Sequence, residues 1–193
     1  MAAKFDVSAA FRASARLRAI GREAETVDQR AASTLVRRLK PEAVRDIKST
    51  HNLPAARIRE NVDVRLVGNA VELIGAARGV TLASYGAKWT KATGVRVTTE
   101  IDEGVKVFRH MFIRPGLSNN RLVFQRRRGE KVEPKKGRYA GTGIKREPLD
   151  AKYGPSIATA LRDRSRAERL EKFSMNVLAA EARRLVGVFH GVA

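Results

Sequence analysis

The hydrophobic period of this chain changes at Val62, and that change fixes its class. Upstream, Ala24, Val27, Ala31, Leu35, Leu39, Ala43 and Ile47 recur at steps of three or four, the spacing that keeps one stripe of a helix apolar over several turns. Downstream, Val62, Val64 and Leu66 alternate with Asp63, Arg65 and Val67; Gly68-Asn69 makes a turn, and Val71 and Leu73 resume the alternation around Glu72. A period of two broken by a Gly-Asn turn is a β-hairpin. Further extended runs at 80–89, 94–101, 105–113 and 121–126 are separated by Gly, Asp, Asn or Pro clusters, connections too short for parallel crossovers. The expectation is α+β: an antiparallel β-sheet of five to six strands packed by a long N-terminal helical region and a long C-terminal helix, with an extended basic arm.

At 193 residues the chain is read as one domain, with N-terminal helices over 1–60, sheet over 62–126, basic arm over 127–146 and a closing helix over 155–190. Phe11, Ala15, Leu17 and Ile20 mark a short helix from Ser8 to about Ile20, and a second pattern follows Gly21. Pro41 removes a helical hydrogen bond and crowds the preceding turn, which predicts a kink or break near Leu39. Leu53-Pro54 then opens a single basic helical turn over 55–60.

The two halves meet within 144–161, where an extended segment reaches a tight turn at Tyr153-Gly154-Pro155-Ser156. Gly154 is expected at positive φ, and Pro155 in the first turn of a helix, where its missing N–H costs nothing. Ser156 reads as a capping or turn serine. Ser165-Arg166-Ala167-Glu168 fits a capping box that restarts the helix. Leu170, Phe173, Val177, Leu178, Ala182, Leu185 and Phe189 carry the helical spacing to the end.

Charge points to the partner. Lys plus Arg number 39 against 20 Asp plus Glu, a formal +19, which suits an acidic surface and most often a nucleic acid. Residues 121–146 hold ten Lys/Arg (Arg121, Arg126, Arg127, Arg128, Lys131, Lys135, Lys136, Arg138, Lys145 and Arg146) against Glu130 and Glu133. This arm has two readings: a solvated loop without a target, or a segment that contacts phosphates or an acidic protein. Pro134 and the glycines keep it from hiding its charge on a helix face, which favours contact. No base-reading motif accompanies it, so contact with DNA would be with its backbone.

Other chemistry is sparse. Without cysteine there is no disulfide and no thiolate metal site. No apolar run approaches the roughly 18 residues of a membrane span. Residues 1–20 lack a secretory pattern, and Asp6 argues for structural helix over a transit peptide. His51, His110 and His190 lie apart, Ser156 lacks a nucleophile-elbow motif, and Asp102-Glu103 sit in a turn. Gly137, Gly141 and Gly143 do not form a phosphate-loop motif. No catalytic residue, metal site or cofactor is expected.

Several motifs together resemble one family. Phe112-Ile113, the turn from Gly116 to Asn120, Leu122-Val123-Phe124 running into Arg126-Arg127-Arg128, then Ile144-Lys145-Arg146 and Tyr153-Gly154-Pro155-Ser156-Ile157 are similar to the C-terminal signature of the bacteriophage minor tail protein Z family. Thr50, Leu53-Pro54 and Arg57-Ile58-Arg59 after a long Ala/Arg-rich helix resemble its N-terminal half. The link from Gly129 to Gly143 is longer than the family's usual connection, and Pro41 sits inside the long helix. The resemblance implies a structural, non-enzymatic virion protein of long-tailed phages, made in the host cytoplasm, that completes the tail at its head-proximal end. It implies a homo-oligomeric ring, hexameric by the resemblance, around the DNA channel. Its partners would be tail-terminator, tail-tube or head-connector proteins and phage DNA, with no membrane. The alternatives are a cellular nucleic-acid-binding protein without sequence preference, or a tail-terminator subunit.

Overall fold

The apolar stripe of the first fifty residues forms α1, Ser8–Thr50, as one helix. The structure, a computed structural model, describes residues 8–68, 70–116, 118–135, 138 and 140–189, with side chains from 23 to 188 among them. Val27, Ala31, Leu35, Leu39, Ala43 and Ile47 are buried, while Ala24 is exposed. The stripe is therefore as expected from Val27 onward. The expected break is not: α1 runs through both Gly21 and Pro41. A proline inside a helix costs about 3 kcal/mol, and burial of Leu35, Leu39, Val44 and Ile47 around it, at about 1.5–3 kcal/mol each, offsets that cost. The side chains of the helix expected from Ser8 to about Ile20 lie outside the described residues.

After α1 come α2 (Ala55–Glu60), β1 (Val62–Val67), β2 (Ala70–Gly75), β3 (Gly79–Thr81), a 3-10 turn (Leu82–Tyr85), β4 (Lys88–Thr90) and β5 (Gly94–Val97). Then follow β6 (Lys106–Phe108), β7 (Met111–Pro115), β8 (Arg121–Arg126), β9 (Leu149–Ser156), α3 (Ile157–Leu161) and α4 (Arg164–Phe189). The chain forms two compact units, residues 1–40, 64–73 and 168–193 in the first and 41–63 and 74–167 in the second. The first unit buries Val27, Ala31, Leu35 and Leu39 of α1 together with Leu170, Val177 and Leu185 of α4. Within it the Thr34 hydroxyl donates to Glu181 at 3.4 Å, and Arg65 pairs with Glu72 across the hairpin at 3.2 Å.

The fold is α+β with antiparallel strand pairing and long helices at both ends, but the strands do not make one sheet. Among the described residues they fall into β1-β2, β3-β9-β8-β7 and β4-β5-β6. The run expected at 80–89 is interrupted by the 3-10 turn, because Leu82 and Tyr85 are drawn into the core. Gly86 ends that turn at φ 74°, a conformation glycine adopts without strain. The run at 105–113 likewise divides at Arg109-His110 into β6 and β7. Beyond the runs counted as strands, the extended segment before the expected turn is β9, which lies between β3 and β8.

The segment around residue 154 needs three corrections. Tyr153-Gly154-Pro155-Ser156 is not a tight turn but the end of β9. Pro155 precedes α3 instead of entering its first turn, because Ser156 is the cap and accepts the Thr159 N–H at 3.0 Å. Gly154 is not among the glycines with positive φ; packing explains it. A Cβ there would stand 2.7 Å from Cε2 of Tyr85, a ring that is 1% exposed. The helix does restart after α3, with a different cap from the one expected. Asp163 Oδ1 accepts the Arg166 N–H at 2.9 Å and the Ser165 hydroxyl at 2.7 Å, so Ser165 is a donor to the cap.

Candidate nucleic-acid interface

Strands β7, β8 and β9 of the second unit hold Arg114, Arg121, Arg126 and Lys152 in register. Phe112 pairs with Phe124 and Arg114 with Leu122 across β7 and β8, while Arg126 faces Leu149 of β9. Side chains two residues apart on a strand share a face, so Phe112 and Arg114 lie alongside Phe124 and Arg126. The two rings are tilted by 31° with centroids 6.2 Å apart. The Arg126 and Arg114 guanidinium carbons lie 5.6 and 5.9 Å from the Phe112 centroid, within cation–π range.

The three arginines that end β8 have different tasks. Arg126 is exposed beside Phe112. Arg127 is a tie: it donates to Asp150 at 2.8 Å and to Glu130 at 3.0 Å. The bond from Arg127 holds the Asp150 carboxyl below the usual carboxylate range. Arg128 donates to His110 Nδ1 at 3.0 Å; a guanidinium can only donate, so that nitrogen accepts and the ring proton sits on Nε2. Together with Gln125, Glu147 and Lys152 these residues line a cleft of about 760 Å³.

The expected arm is exposed, yet its limbs are paired. Arg127 N–H donates to the Pro148 carbonyl at 3.0 Å, and Val132 and Arg146 exchange two backbone bonds at 3.0 and 2.9 Å. Glu133 accepts the Gly143 N–H at 3.0 Å. The segment is thus a folded-back loop carrying exposed Lys131, Lys135, Arg138, Lys145 and Arg146. Lys136 lies outside the described residues. Arg126, Arg127 and Arg128 meet at one cleft, whereas Gly154, Pro155 and Ser156 belong to the end of β9 around Tyr85. Sequence reasoning missed Phe112, Phe124, Arg114 and His110 as neighbours of these arginines. The signal was present in Phe112-x-Arg114 and Phe124-x-Arg126, whose parity puts ring and charge on one face.

A second polar cluster is buried. Arg166, 2% exposed, donates to Asp46 at 2.6 Å, and also to the Ala160 carbonyl and the Thr50 hydroxyl. His51 lies beside it, with Nδ1 2.8 Å from that hydroxyl and Nε2 4.0 Å from Glu100. Burial and the Arg166 charge push the His51 pKa down from 6.5. The cluster anchors the end of α1 to the α3–α4 junction.

Among the described residues, no group of three His, Cys, Asp or Glu side chains is gathered as a metal site. No described helix is long and apolar enough to cross a membrane. No family model matches the chain, nor does any curated protein or solved structure.

Proposed function

We propose that this chain is a structural protein of a bacteriophage tail, acting at the head-proximal end as a tail completion subunit and performing no catalysis. In this reading copies of the chain form a ring around the DNA channel and contact tail-terminator, tail-tube or connector proteins. The observation that carries it is the exposure of Arg126 and Arg128 at one cleft and of the loop cations Lys131, Lys135 and Lys145 in the segment that follows. Such a surface attracts the phosphates of a passing duplex without reading its sequence. The motif resemblance supplies the place in the virion, and the charge supplies the contact made there.

Arg127, tied to Glu130 and Asp150 in exposed ion pairs, brings less net charge to that surface than Arg126 or Arg128. The test is head–tail joining in a lysate that lacks the chain, with purified protein added back. Tails that fail to join until the chain is restored support the reading. Normal joining without it removes the reading and leaves a cellular nucleic-acid-binding protein as the better account of the same charge.

A further inference from the structure

We infer that the surface running from Trp89 through Arg114 to Phe112 binds single-stranded nucleic acid, stacking bases on its rings while arginines hold the phosphates. Trp89 is the one tryptophan of the chain and is 48% exposed on β4. With Ile113, Arg114, Pro115 and Arg121 it lines a groove of about 360 Å³. Arg114 joins this groove to the next ring, since its guanidinium carbon stands 5.9 Å from the Phe112 centroid. Arg126 approaches the same ring at 5.6 Å, so the groove beside Trp89 of β4 leads to guanidinium groups and the Phe112 ring on β7 and β8 of the neighbouring sheet.

Charge selects the ligand. Arg114 and Arg121 line the groove beside Trp89, and Arg114 and Arg126 stand over Phe112. From Arg121 to Arg126, β8 extends about 17 Å, the length of a few nucleotides. An apolar protein partner would gain nothing from so many cations, whereas a polyphosphate matches them. A duplex would use the cations but not the rings, because its bases are already stacked on one another. Unpaired bases offer free π faces to Trp89, and to half-buried Phe112 where a base takes the place of one of its guanidinium neighbours; such stacking tolerates any sequence. The inference is independent of the tail reading, since a cellular protein with this surface would take the same ligand.

The test uses the full chain and its single tryptophan. A short oligothymidylate is titrated while Trp89 emission is followed, and compared with an abasic oligomer and a duplex of equal length at the same salt. Emission is expected to be quenched, with affinity for the base-bearing strand about tenfold above that for either competitor. Phe112→Leu, which keeps the reporter, lowers affinity about fivefold. Trp89→Leu, with its fold checked by circular dichroism, lowers it about tenfold by anisotropy of a labelled strand. Equal affinity for the abasic strand or the duplex overturns the inference, as does unchanged emission at saturation or failure to bind any of the three.

Discussion

The ring of Tyr85 occupies the space that a side chain on Gly154 would need, and its hydroxyl donates to the neighbouring Pro155 carbonyl at 3.0 Å. Burial pushes the Tyr85 hydroxyl pKa up to about 12, so it remains a donor at any working pH. Gly154→Ala inserts a methyl group against an immobile ring and should cost about 1–3 kcal/mol. Tyr85→Phe keeps the packing and removes the bond, for about 1 kcal/mol. Denaturant midpoints of the two variants check both values. An unperturbed Gly154→Ala protein would show that the fit between ring and glycine is not tight.

Removing Arg166 should be among the most damaging single changes in the second unit. Its guanidinium ties Asp46 of α1, Thr50 and the end of α3 together at 2% exposure. Arg166→Ala takes the guanidinium away from a largely buried carboxylate and removes the bonds to Thr50 and Ala160, and is expected to cost about 3 kcal/mol. Arg166→Met combined with Asp46→Leu removes both charges and should recover most of that loss. Thermal melting of the single and double variants decides the matter, and equal losses in both would place the stabilisation in shape and not in charge.

Stability should fall as pH drops below about 6.5, with His51 as the source. Burial and Arg166 lower its folded pKa, outweighing Glu100, Asp163 and Glu103, which raise it. Below 6.5 the unfolded chain takes up a proton that the folded chain resists, so stability is lost as pH falls through that window. Asp150 and Glu181, whose pKa values are lowered by Arg127 and Arg184, contribute only nearer their ordinary values of 3.8 and 4.5. His51→Gln should flatten the melting temperature between about pH 6.5 and 5. An unchanged slope would move the effect elsewhere.

Arg127 and the loop lysines should separate cleanly. Arg127→Ala cuts the ties to Asp150 and Glu130 and is expected to speed hydrogen exchange through 127–148. Changing Lys131, Lys135 and Lys145 to Gln should leave exchange unaltered. It should instead reduce the slope of log affinity for duplex DNA against log salt, by about 0.9 for each phosphate that a lysine no longer neutralises. A salt slope that responds to Arg127 and not to the lysines would reverse these assignments.

Period and punctuation made much of the fold legible. The stripe from Val27 to Ile47 and the hairpin turn at Gly68 follow from local spacing, as does β8, whose bounds match the expected 121–126. What could not be read depended on neighbours far along the chain. Gly154 looks like a turn glycine until Tyr85 is beside it, and Pro41 looks like a break until burial on either side outweighs it. Gly94 shows both effects at once: φ is 80°, and a Cβ would collide with the Phe108 carbonyl oxygen. At the site, the cluster Arg126-Arg127-Arg128 was visible in the sequence. The division of labour within it was not, because Asp150 lies 23 residues from Arg127.

The most direct measurement of the central claim is immunogold electron microscopy of phage particles from a producing lysate, with antibody against this chain. The account predicts label at the head–tail junction of each particle. Particles without label, with the epitope shown accessible on the free protein, would contradict it.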